Sequence, residues 1–291
     1  MSTELSIANE RGQSMAELMG VTGTGGSTQQ SGPTLSRIGM IHQPVMGEVE
    51  MGGKKLKTEV LPIGTYTVTK GEDVVYATEV RIRIFAMRQQ WTRWNSETNE
   101  MEKTVLANSL NGDLQDNIGG YNLGRPSGYI EDWNALPDST KQLIRSVKRT
   151  KVVFGTLTLL DPKDANGNDV SGDYTDIPFV YDIKNNTSIK NIDAAVKKIN
   201  GLPIMADLIL TSAEGSIPTG AKFGFVEAKV GTRREFEGGD EDLLRNFLEY
   251  IEYTNGKILD MHYERNKETL SAQDAQVVND ILNNDFVDVD E

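Results

Sequence analysis

Cysteine is absent from this chain. Without thiols there can be no disulfide, no thiolate metal site and no cysteine nucleophile. Histidine is nearly absent too. His42 and His262 are the only two, so a histidine-rich metal site is excluded and a Ser–His–Asp triad would have to use one of them. No apolar run approaches the roughly 20 residues that a membrane helix needs. The opening residues, MSTELSIANERG, lack the apolar core of a secretory signal. These absences predict a soluble, cytoplasmic protein with no membrane partner. No glycine-rich loop is followed by the Lys-Ser/Thr of a phosphate cradle. After Lys267 there is no basic residue at all.

What is present is unevenly distributed. The net charge of −13 would repel a polyanion if it were spread evenly. It is not. Residues 139–160 hold Lys141, Arg145, Lys148, Arg149 and Lys151 and no acid. Acid gathers in residues 235–252 and in a C-terminal stretch carrying Asp285, Asp288, Asp290 and Glu291 around Phe286. Residues 80–94 combine alternating apolar residues with Arg81, Arg83, Phe85, Arg88, Trp91, Arg93 and Trp94. Aromatic rings stack on bases whatever their sequence, and arginine adds phosphate contacts and stacking of its own. Lys103 returns on the second arm of the same predicted hairpin, after the turn at residues 95–99. A second basic–aromatic loop holds Tyr121, Arg125, Tyr129 and Trp133. The bland alternative is that the rings are core and the arginines only solvate a strand face.

Element signals are strongest in the middle of the chain. Period-2 patterns predict strands over residues 61–69, 74–87, 101–109, 151–160, 177–183, 203–212 and 221–230. Period-3.6 patterns predict helices over residues 136–148, 188–199 and 240–253. Residues 110–129 and 161–173 read as long loops. The second of these has several Asp and Asn residues but neither the glycine placement nor the closing Glu of a calcium loop. Residues 4–19 read as a weak helix at most. The Gly/Ser/Thr/Gln composition that follows predicts a flexible arm over residues 1–46. The expected organisation is that arm, a folded domain over residues 47–255 and an acidic tail over residues 256–291. The expected fold is β-rich α+β: an antiparallel, oligonucleotide-binding (OB-fold-like) barrel with additional helices and disordered termini.

The segments at residues 61–68 (LPIGTYTV), 74–85 (VVYATEVRIRIF), 93–104 (RWNSETNEMEKT), 119–129 (the GG…GRPSGY loop), 151–159 (KVVFGTLTL) and 178–199 carry a resemblance. Across roughly residues 55–255 their order is similar to that of replication-type single-stranded-DNA-binding proteins of tailed, particularly marine, bacteriophages. The resemblance implies an oligonucleotide-binding barrel and sequence-independent binding of single strands. It also implies an acidic tail that contacts replication proteins of the infected host cell. Some phage members carry a Cys/His zinc site, which this chain cannot form. The expected reading is a non-enzyme with no cofactor and no metal, acting in replication or recombination and able to form a homo-oligomer. Its nucleic-acid-binding residues would be Arg81, Arg83, Phe85, Arg88, Trp91, Arg93, Trp94, Lys103, Arg125, Tyr129, Lys148 and Arg149. Asp285, Phe286, Asp288, Asp290 and Glu291 would serve the tail. The alternative is a phage virion or assembly protein.

Overall fold

Strand Glu79–Asn95 is the axis of the molecule. In the computed structural model, which describes residues 35–51, 54–71, 73–128 and 130–284, it is one of eleven strands. They are β1 (Ser36–Met40), β2 (Val45–Met51), β3 (Lys54–Leu61), β4 (Tyr66–Lys70), β5 (Asp73–Ala77), β6 (Glu79–Asn95), β7 (Glu100–Lys103), β8 (Lys148–Leu160), β9 (Ile177–Ile183), β10 (Ala206–Ser216) and β11 (Lys222–Arg233). The helices are α1 (Asp138–Ser146), α2 (Asn186–Lys198) and α3 (Gly238–Asn284). No helix among the described residues is long and apolar enough to cross a membrane.

Nine strands form one sheet, in the order β11-β10-β6-β8-β9-β1-β4-β5, with β7 added to the far end of β6. β2 and β3 form a separate two-stranded hairpin. Neighbours pair antiparallel except β1 and β9, which run parallel, with Ser36 opposite Phe179. The predicted antiparallel OB-fold-like barrel is therefore corrected. Closure would require the two terminal strands to pair, and β11 and β5 instead stand at opposite edges of an open, mixed sheet. Alternating apolar residues report that a strand has a buried face; they are silent on whether the sheet closes.

Both sheet faces are covered, which explains the continuous apolar run in β8. Val153, Leu157, Phe179, Ile82 and Ile84 pack with Ile189, Ile192 and Ala195 of α2 on one face. Val152, Phe154, Val180 and Ala86 pack with Phe247 and Ile251 of α3 on the other. α2 begins where the Asn185 side chain accepts the Thr187 and Ser188 amides, an N-cap of the usual polar kind. Tyr66 is fully buried. Its hydroxyl donates to the Thr211 carbonyl at 2.7 Å, and burial pushes the phenol's pKa upward.

Two boundaries differ from expectation. β1 lies inside the segment predicted as an arm, and it sits between β9 and β4 in the sheet. α3 runs through the predicted start of the tail and on to Asn284. The weak helix expected over residues 4–19 and the tail residues Asp285, Phe286, Asp288, Asp290 and Glu291 lie outside the described residues.

Candidate nucleic-acid interface

A β-bulge decides which of the predicted residues can share a surface. Along β6, Ile84 is opposite Gly155 of β8, but the next pair is Ala86 with Phe154. Phe85 is the extra residue. A bulge of this kind inverts the in–out alternation beyond it. Before the bulge, Val80, Ile82 and Ile84 face α2 while Arg81 and Arg83 face the other way; after it, Met87, Gln89, Trp91 and Arg93 share the α2 side. Arg88, Gln90, Thr92 and Trp94 take the α3 side. The expected single basic–aromatic surface is thus divided between two faces.

On the α3 side most of the predicted contacts are already engaged. Arg83 is buried. Its Nη1 and Nη2 donate to the two Asp240 carboxylate oxygens at 2.8 and 2.7 Å. Nε donates to the Ile204 carbonyl and Nη2 also to the Glu235 carbonyl, each at 2.9 Å. Phe85 packs against Phe247, with ring centroids 5.5 Å apart. Both are corrected: Arg83 anchors the start of α3 and Phe85 packs beneath it. Lys103 lines a cavity under α3, where burial lowers its pKa. It too is withdrawn from the proposed strand-binding surface. Arg81 is half-buried, as is Arg88, whose Nη1 donates to the neighbouring Met87 carbonyl at 2.9 Å. Trp94 is 54% exposed, but it lies three residues from Trp91 on an extended strand and therefore on the opposite face. Lys148 is opposite Thr92, on the face away from Arg149.

On the α2 side, Arg93 is spent in a different way. Its Nε donates to Glu102 at 2.6 Å and its Nη1 reaches the Leu123 carbonyl at 3.4 Å. Glu102 is itself buried and also accepts from Asn95. Arg93 is corrected to a structural residue that holds the turn at residues 122–124.

Three predicted residues do meet. Trp91, Arg125 and Arg149 line one cavity of about 500 Å³, together with Gln89, Leu110 and Asn111. The Arg125 guanidinium lies 4.6 Å from the Trp91 ring centroid, a cation–π distance. Partial burial lowers its pKa below the ordinary arginine value. Among the described residues no carboxylate lines the cavity. Among the described residues neither Arg125 nor Arg149 forms an ion pair. Arg149 stands opposite Trp91 in the β6–β8 register, so one strand pair fixes both. The predicted Tyr129 lies outside the described residues.

The cavity's outer wall is a long loop made rigid by buried polar groups. The fully buried Asp116 carboxylate accepts the backbone N–H of Ile118, Gly120 and Leu123 at 3.2, 2.7 and 2.8 Å. Asn122 and Leu123 have φ of 52° and 57°, a costly conformation for residues other than glycine. The Leu123 N–H bond to Asp116 and the burial of its side chain hold it there. α3 adds two clamps. Asn255 exchanges a pair of hydrogen bonds with the Leu106 backbone at 2.7 and 3.0 Å. Buried His262 places its Nδ1 3.1 Å from the Asp116 carbonyl. Arg125 therefore projects from a fixed base over Trp91. Gln89, Leu110 and Asn111 were missed in the sequence reading. Only the loop's length and its Asn/Gly content could have flagged it as a candidate.

The Asp-rich loop at residues 161–173 uses its acids on itself. The Asp164 carboxylate accepts from the Asn166 and Asn168 amides at 2.8 and 2.9 Å, and Lys163 pairs with Asp169. Among the described residues no cluster of His, Asp and Glu could hold a metal ion. No protein-family model, no curated protein and no solved structure matches the chain.

Proposed function

We propose that this protein binds single-stranded nucleic acid, DNA foremost, without reading its sequence, and that the Trp91–Arg125–Arg149 cavity is where the strand is held. The observation behind this reading is a tryptophan beside two arginines, in a cavity where, among the described residues, neither arginine has a carboxylate partner and no acid contributes to the lining. A base can stack on Trp91 in the position that the Arg125 guanidinium occupies. Arg125, once displaced, and Arg149 then meet the flanking phosphates. Stacking contributes about 1–3 kcal/mol per base and tolerates any base. Phosphate contacts make affinity fall with salt through counterion release. The segregation of charge in the sequence supports the same reading. So does the resemblance to phage replication proteins, which implies an activity in the cytoplasm of an infected cell, with replication proteins as further partners of the tail.

Titration of a labelled oligo-dT across a salt series tests it. Wild type should bind in a salt-sensitive way, and Trp91→Ala should weaken binding without unfolding the protein. If folded Trp91→Ala and Arg149→Ala both bind as wild type does, the proposal fails. The second reading, an assembly protein, is favoured by the twelve-residue edge strand β11 and the opposite edge β5, neither capped by another main-sheet strand. It predicts concentration-dependent association in the absence of nucleic acid.

A further inference from the structure

On the opposite side of the same strand, a small cavity of about 50 Å³ lies between the sheet and α3. Arg37 of β1, Gln90 of β6, Lys103 of β7, Asp182 of β9 and Thr254 of α3 line it. Its apolar walls come from both layers. Gln90 is 94% buried, since only 6% of it is exposed, and its Oε1 has no hydrogen-bond partner among the described residues. Buried amides are rarely left incomplete, because an unpaired polar atom costs about 1–3 kcal/mol.

The charges around the cavity do not balance. Among the described residues Asp182 is the only acid in the lining, and it is already 3.7 Å from Arg37. Lys103 has no carboxylate in ion-pair range among the described residues. Asp182 is the strongest charge acting on Lys103, and Arg37 and Lys257 of α3 add two positive ones against it. A water molecule could satisfy Gln90, but it cannot offset an excess of cations in a partly enclosed space. We propose that this cavity binds a small oxyanion, either free phosphate or the carboxylate of a small acid. Lys103 and Arg37 would donate to it. Gln90 would turn its amide by half a rotation and present its NH₂ group as a third donor. The volume, room for a few waters, admits a group of that size and nothing larger.

Thermal unfolding with added sodium phosphate or sodium acetate, at constant ionic strength set with sodium chloride, tests the proposal. One of the two anions should raise the unfolding temperature saturably, by about 3–5 °C at ten times its dissociation constant. The anion that acts at the lower concentration identifies the source. Lys103→Met should abolish the response. The double variant Arg125→Ala/Arg149→Ala should retain it, which separates this site from the strand-binding cavity. Because Lys103→Met could disturb packing, Gln90→Glu provides a second arm: it places a carboxylate where the anion would sit and should remove the response while keeping the fold. No saturable response in wild type overturns the proposal, as does an undiminished response in both Lys103→Met and Gln90→Glu.

Discussion

Arg83 and Arg125 are both arginines set against an aromatic ring, and the molecule uses them in opposite ways. The Arg83 guanidinium lies 5.4 Å from the Phe85 ring centroid, and that of Arg125 lies 4.6 Å from the centroid of Trp91. Arg83 also grips Asp240 with two nitrogens and is sealed beneath α3. Arg125 has no carboxylate partner among the described residues and borders an open cavity. An arginine next to an aromatic is therefore no signature of a binding surface by itself. What separates the two is the location of the nearest acid, which for Arg83 is more than 150 residues away in sequence and adjacent in space.

That contrast can be tested hardest at Asp240. Asp240→Ala leaves the buried Arg83 charge without its partner and should destabilise the fold by about 3–5 kcal/mol, read from the urea midpoint. Oligo-dT affinity per folded molecule should not change. If affinity falls as stability falls, Arg83 belongs to the binding surface after all. On the other arm, Trp91→Ala should cost about 1–3 kcal/mol in oligo-dT binding with little loss of stability. Trp94→Ala, on the opposite face, should change binding by less than about 0.5 kcal/mol; equal losses at both tryptophans would mean that the strand wraps both faces.

A smaller effect concerns proton uptake. Burial lowers the Lys103 pKa in the fold. Between that lowered value and the ordinary lysine value, the unfolded chain binds more protons than the folded one, so this residue's contribution to stability rises with pH. The penalty is fully present below the folded value and gone above the unfolded one. Lys103→Met should flatten the stability–pH curve on the alkaline side relative to wild type; parallel curves would contradict the shift. Smallest of all, deleting the residues after Asn284 should slightly tighten oligo-dT binding at low salt, if the tail competes for the arginines. Equal affinities would remove the competition model only.

Much of the fold was legible in the sequence because periodicity was strong where packing is simple. β8, β9, α2 and the β6–β7 hairpin follow from alternation, from apolar stripes and from the turn at residues 95–99. The bulge was not legible. Nothing in the run Ile84, Phe85, Ala86 announces an extra residue, yet it reverses the face of every side chain after it. The expected helix stops at residue 253. In the structure Asn255 spends its amide on the Leu106 backbone, inside a continuing helix. Of the candidate site, Trp91, Arg125 and Arg149 were named from residue type alone. Their meeting depended on the β6–β8 register and on a loop organised by Asp116, neither of which a local pattern can encode.

The parallel seat of β1 has a consequence for how the chain reaches its final form. β1 joins β9 on one side and β4 on the other, so among the described strands it links the large part of the sheet to the β4–β5 pair. It is made well before Phe179, Val180 and Tyr181, which it must meet. Contacts between segments so distant in sequence form slowly. Until β9 arrives, β1 and the strands after it have a row of hydrogen-bonding groups waiting for a partner. Assembly of this sheet therefore waits for β9, and an expression clone trimmed to start at residue 47 would lack the strand that completes it.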